Sequence, residues 1–293
     1  MITEKDAMNP VTLSKLIHEE ARQSISEEEY EAHRKRIFGR EVLDYAKSLV
    51  INLPGPCYAN CAYCIDKGLR SNVTDYETFL KACKRVLTEK SDFSEISITG
   101  GSLPAAEFHE LMKLVRKHCP NATITWNTNG VNIDERYDIN GIRHINLHRN
   151  DAADKKNQEL FQTTVPILSI PEAKELFAEK LCIRVTVDEN FDLSSYTKYR
   201  VPLYLNRLLP GTTESNRRFE EIRDRLSVSE ATDVRRRNQY VNGYIDSIPV
   251  RLCIGDHQAE RIQDRYPTWL NVVIIHREGT ICGSWYLDDK FLF

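Results

Sequence analysis

The sequence predicts an α/β fold: a partial (β/α)6 barrel with a helical arm before it and a β-rich extension after it. Three observations carry this expectation. From about residue 46 to 212, short apolar runs alternate with capped, amphipathic segments, the pattern of parallel strands joined by helical crossovers. The apolar runs number six, short of the eight of a closed barrel, and crossovers of one hand would curl such a sheet. Beyond residue 212 the alternation stops and hairpin-like runs take over. The expected domains are therefore 1–45, 46–212 and 213–293.

Residues 1–45 are strongly charged; Asn9-Pro10 and Ser26 with Glu29 supply helix starts, so a helical arm is expected. The strands are expected at 48–53, 93–99, 122–127, 143–148, 181–187 and 201–207, apolar enough to be covered on both faces. Helices are expected from a capping box at Thr74 to about Lys90, after Pro104 to His118, over 151–161, and after the Ser169–Glu172 box. Residues 211–240 mix arginines with carboxylates, which reads as a solvated helical surface, with a surface for a phosphate-bearing substrate or nucleic acid as the sharper alternative. In the tail, 248–254 and 269–275 read as strands, and Gly279 turns the latter into a hairpin with 281–285.

The 293 residues are 41% hydrophobic and 28% charged, with a net charge of −3, ordinary for a globular protein and no attractant for nucleic acid or an anionic membrane. There is no apolar run of membrane-spanning length and no signal-peptide core, so a cytoplasmic protein is expected. Cys83, Cys119, Cys182, Cys253 and Cys282 are scattered and read as reduced thiols.

The remaining cysteines are concentrated. Cys57, Cys61 and Cys64 stand in a C-x3-C-x2-C spacing behind Pro54-Gly55-Pro56, which ends the first strand and forces a loop. Three such thiolates suit a cubane iron–sulfur cluster and would leave one iron open. The same spacing also suits a zinc site completed by a distant ligand, or three core thiols on one helical face.

The stretch resembles the signature of the radical S-adenosylmethionine (radical SAM) superfamily, with Tyr63 as the aromatic residue before the last cysteine. The resemblance implies one [4Fe-4S] cluster on Cys57, Cys61 and Cys64, and S-adenosyl-L-methionine (SAM) chelated to the open iron. Reductive cleavage of SAM would yield a 5′-deoxyadenosyl radical that abstracts hydrogen from a substrate. Over residues 48–212 the order of motifs resembles the molybdopterin-precursor cyclase-like branch. On that likeness Gly100, Gly101 and Ser102 would receive the methionine amino group through their backbone, Ser102 standing where Glu is common. Thr128 and Asn129 would lie toward SAM, and His148 and Arg184 near its carboxylate. The branch's second-cluster cysteines are missing, since the tail has only Cys253 and Cys282. Thr128 and Asn129 also read as turn residues, His148 as a structural histidine and Arg184 as half of a salt bridge.

The expected partners are a small-molecule or nucleotide substrate and a low-potential electron donor such as flavodoxin or ferredoxin, with no membrane and no nucleic acid. Modification of a peptide or RNA is the alternative enzyme reading. A non-catalytic metal-binding module is the alternative outside catalysis.

Overall fold

The structure is a computed structural model, and it describes residues 26, 43, 46–55, 57–59, 75–208, 211–228, 240–253 and 272–282. In chain order its elements are β1 (Ser48–Leu53), α1 (Tyr76–Glu89), β2 (Glu95–Gly100), α2 (Ala105–His118), β3 (Thr123–Thr128) and β4 (Ile142–His148). Then follow α3 (Asp154–Phe161), α4 (Ile170–Phe177), β5 (Leu181–Val187), the short α5 (Ser194–Thr197), β6 (Leu203–Arg207) and α6 (Thr213–Arg225). The last are β7 (Ser227–Val228), β8 (Tyr240–Ile245), β9 (Ile248–Cys253), β10 (Val272–Ile275) and β11 (Ile281–Cys282). The expected α/β class, with parallel strands in β/α succession, is what is observed. Apart from Ser26 and Leu43, the predicted N-terminal arm lies outside the described residues.

The chain divides into two compact units, one of residues 1–127, 134–143 and 264–293, the other of 128–133 and 144–263. In the first unit the strand order is β11-β10-β1-β2-β3; β10, β1, β2 and β3 run parallel, and β11 returns antiparallel. The tail strand β10 thus sits directly beside β1. The predicted hairpin turn is present at Gly279, whose φ of +80° suits glycine. In the second unit the order is β4-β5-β6-β9-β8-β7, parallel through β9 and antiparallel beyond it. Strand β8 is a feature the sequence pattern did not reveal: Asn242 and Gly243 break its apolar run, and pairing with β9 holds it.

Helix faces follow the 3.6-residue period. In α1 the buried residues are Phe79, Cys83, Val86 and Leu87, and in α2 Phe108, Leu111, Met112 and Val115. Helix α4 opens with the predicted capping box, Ser169 and Glu172 each accepting the other's backbone N–H. The cap of α1 is Asp75 rather than Thr74, which lies outside the described residues; the Asp75 carboxylate accepts the Glu77 N–H at 3.3 Å. On α6, Arg217, Arg218 and Arg223 pair with Glu214, Glu221 and Glu220 of the same helix, as the solvated-surface reading expects. Arg235, Arg236 and Arg237 lie outside the described residues.

The expectation of strands covered on both faces holds for β1 but not for every strand. In β5 the residues Leu181, Ile183, Val185 and Val187 are buried, while Cys182, Arg184 and Thr186 between them are only half-buried. Strand β6 alternates likewise, with Tyr204 and Asn206 on the more open face. Helices cover one face of such a strand, and the other keeps polar side chains within reach of solvent or a ligand.

Candidate active site

In the first unit the site begins where β1 and β2 end side by side. Leu53 is in register with Gly100, and the Gly101 N–H donates to the Leu53 carbonyl at 3.2 Å. The loop that leaves β1 then passes so close to the loop leaving β2 that neither tolerates a side chain. A Cβ on Gly55 would lie 1.4 Å from the Ser102 carbonyl oxygen, and one on Gly101 would lie 1.9 Å from the Gly55 carbonyl oxygen. Gly100, at φ +95°, completes the junction. Cys57 follows on this fastened loop, half-buried, with Tyr58 exposed and Ala59 buried. Cys61, Tyr63 and Cys64 lie outside the described residues.

Two side chains lock the junction from outside the motif. Arg277, only 4% exposed, donates through Nη2 to the carbonyls of Gly55 at 3.0 Å and Leu53 at 3.4 Å. It has no carboxylate partner among the described residues. On the other side Tyr137, stacked on Trp126 at 5.6 Å, donates its hydroxyl to the Leu103 carbonyl at 2.6 Å.

The second unit holds the other predicted residues. Thr128, Asn129 and Gly130 form a tight turn: Thr128 Oγ1 accepts the Gly130 N–H and Asn129 Oδ1 accepts the Val131 N–H, both at 3.1 Å. Gly130 has φ +74°. Both side chains therefore serve the turn, although the Thr128 hydroxyl keeps a proton to donate. Beneath them lies Arg149, fully buried, which the sequence reading missed. Its Nη1 donates to the Asn129 and His148 carbonyls, each at 2.8 Å, and its Nη2 donates to the Leu168 carbonyl. Burial brings its pKa down to about 10, so it stays charged at neutral pH. No sequence signal distinguishes it from a surface arginine; its role depends on carbonyls brought together by the fold.

His148 and Arg184 are cross-strand partners in the β4–β5 register. The Arg184 guanidinium donates to Asn206 Oδ1 at 3.5 Å and lies 5.0 Å from the Tyr204 ring centre. The His148 imidazole stacks on Phe161 at 6.1 Å. Desolvation, reinforced by the nearby cations Arg184 and Arg149, pulls its pKa down to about 3. His148 is therefore neutral in the folded chain at neutral pH and can donate or accept a hydrogen bond without charge.

The unfolded histidine titrates near about 6.5, so at mildly acidic pH the unfolded chain binds the extra proton. Stability should fall as pH drops from about 6.5 to 5, a range in which ordinary carboxylates still stay ionised. Urea midpoints across that range should decline for the wild type and stay flatter for His148→Gln.

Of the thiols elsewhere, all but the half-buried Cys182 are buried. Cys83, Cys253 and Cys282 are at most 2% exposed, as expected of core positions. Burial raises the Cys83 and Cys182 pKa values, the latter to about 12.

The fold has a counterpart among solved structures. Native anSMEcpe with bound AdoMet and Cp18Cys peptide superposes over 84% of this chain and 78% of its own, at a TM-score of 0.50 and 16% identity. The chain shares that protein's fold, a partial α/β barrel of the radical SAM type. BtrN in complex with AdoMet and 2-DOIA matches at a TM-score of 0.35 and 10% identity, over 82% of this chain and 73% of its own. TYW1 with a lysine-pyruvate adduct matches at 0.35 and 15%, over 65% and 83%. No protein-family model and no curated protein sequence matches the chain. In this fold the cysteine loop leaves the end of β1 and the glycine pair leaves the end of the neighbouring β2. Among the described residues no helix is long and apolar enough to cross a membrane.

Proposed function

We propose that this protein is a radical SAM enzyme acting on a small-molecule or nucleotide substrate. The observation that carries the reading is the glycine junction, which fastens the Cys57 loop to the Gly100–Gly101 turn with no room for a side chain on either. A cysteine loop held that tightly against a turn with open backbone groups suits a metal centre and a ligand that must meet at fixed distance. The buried cation of Arg277 beside the loop, with no carboxylate partner among the described residues, also fits an anionic cluster there.

On this reading Cys57, Cys61 and Cys64 hold one [4Fe-4S] cluster, with Tyr63 beside them. When bound, the cluster and SAM supply a one-electron cleavage that yields a 5′-deoxyadenosyl radical. The chain's own residues bind and orient. The backbone of Gly100, Gly101 and Ser102 accepts the methionine ammonium, and the Ser102 hydroxyl is dispensable. Arg184 offers its planar fork to the methionine carboxylate, and neutral His148 adds a hydrogen bond. Thr128 and Asn129 hold the turn that faces SAM. A low-potential donor such as flavodoxin or ferredoxin delivers the electron.

The test is anaerobic reconstitution with iron and sulfide, followed by reduction in the presence of SAM. The wild type should release 5′-deoxyadenosine and methionine. Cys61→Ala should retain neither iron nor cleavage. Zinc at the thiols, or intact SAM after reduction of an iron-loaded protein, would overturn the proposal in favour of a metal-binding module without catalysis.

A further inference from the structure

In the second unit Arg217, Arg218 and Arg223 on α6 are matched by carboxylates one turn away. On the half-open sheet face two arginines donate instead to asparagine amides. Arg184 donates to Asn206 Oδ1, and Arg251 Nε donates to Asn242 Oδ1 at 2.8 Å. Cross-strand register sets His148, Arg184, Tyr204, Arg251 and Asn242 in one row over β4, β5, β6, β9 and β8. Arg251 lies 5.4 Å from the Tyr240 ring centre, and the Tyr240 ring is 5.9 Å from that of Tyr204.

Two features of Arg251 are informative. It has no carboxylate partner among the described residues, although its strand lies between β6 and β8 rather than at an edge. Asn242 takes Nε, neither Nη group donates to an acceptor among the described residues, and the Tyr240 ring lies beside the fork. Both Arg251 and Arg184 also act electrostatically on the Cys182 thiol, so the two cations face a common region. Their strands are two apart, roughly 10 Å between backbones, which is room for two anionic groups rather than one.

We propose that Arg251, oriented by Asn242 and backed by Tyr240 and Tyr204, binds the anionic group of a small substrate, a carboxylate or a phosphate. This deepens the proposed function by naming a substrate class: an acid, held two strands away from the arginine assigned to SAM. A bidentate guanidinium contact recognises either oxyanion.

The test uses the full-length protein and two probes, inorganic phosphate followed by phosphorus NMR line broadening and acetate followed by carbon NMR. Chloride at equal ionic strength is the reference. The wild type should bind at least one probe; Arg251→Gln should weaken that binding about tenfold, a loss of about 1.4 kcal/mol. Asn242→Ala should weaken it less, and Arg223→Gln on α6 should leave it unchanged. The preferred probe separates a phosphate-bearing from a carboxylate-bearing substrate.

Failure of the wild type to bind either probe, or binding by Arg251→Gln equal to wild type, overturns the proposal. Should Arg251→Gln not fold, by near-UV circular dichroism, Arg251→Lys keeps the charge, loses the fork and decides the same point. SAM cleavage without substrate is read in parallel. Loss of anion binding with cleavage intact supports this site, whereas absent cleavage with anion binding intact counts against the radical SAM reading alone.

Discussion

Gly101→Ala should reduce SAM cleavage by about a hundredfold or more while leaving the fold in place, because a displacement near 1 Å at a reacting centre can cost that much. The added Cβ would sit 1.9 Å from the Gly55 carbonyl oxygen and 2.8 Å from Arg277 Nη2. The first neighbour is backbone, so relief requires the two loops to part. Parting them stretches the Gly101 N–H bond to Leu53 and the Arg277 bonds to Leu53 and Gly55. The Cys57 loop then no longer stands at its distance from the Gly100–Ser102 turn. Cleavage per bound iron is the proper measurement, since it separates misplacement from failure to load. Ser102→Ala is the internal comparison: it keeps the backbone and removes only a hydroxyl that makes no hydrogen bond among the described residues, so it should cleave SAM near the wild-type rate. Gly101→Ala at wild-type rate would mean that the junction has no part in catalysis.

Arg149→Met should lower the stability of the second unit by about 3 kcal/mol, the upper end for hydrogen bonds to a charged group. Three carbonyls accept from this one guanidinium, those of Asn129, His148 and Leu168. Methionine approximates its length and fills the apolar part of its space, so a cavity is not the cause. One term opposes the loss. The arginine is desolvated, its Nε has no hydrogen-bond partner among the described residues, and removing a buried charge recovers part of that penalty. The loss outweighs it because three charged hydrogen bonds go together and one of them holds the turn of Gly130, at φ +74°. Urea unfolding followed by tyrosine and tryptophan fluorescence would measure the change. A shift below about 1 kcal/mol would mean that water replaces the guanidinium without cost.

Much of the fold was legible in residue order, for a local reason. Apolar residues spaced by two or by three to four record which face of a strand or helix is covered, and that record needs no knowledge of the partner. The fifth strand was placed at 181–187 and is observed as Leu181–Val187. The Ser169–Glu172 box works because a cap is satisfied within one turn. Two-sided burial holds for β1 and fails for β5 and β6, because periodicity reports a covered face without saying what lies on the other. Strand β8 escaped notice because its stability lies in pairing with β9 rather than in its own pattern.

Residue order alone carries the β/α succession, the cysteine spacing after the first strand and the glycine pair after the second. Folding is what sets Arg277 on the loop of Gly55, 222 residues away, gathers three carbonyls around Arg149, and orients Arg251 by an asparagine. The physical reason is that backbone preference and hydrophobic period are properties of neighbouring residues. The partner of a buried charge is whichever group the folded chain brings within about 3 Å, and nothing local to an arginine names it in advance.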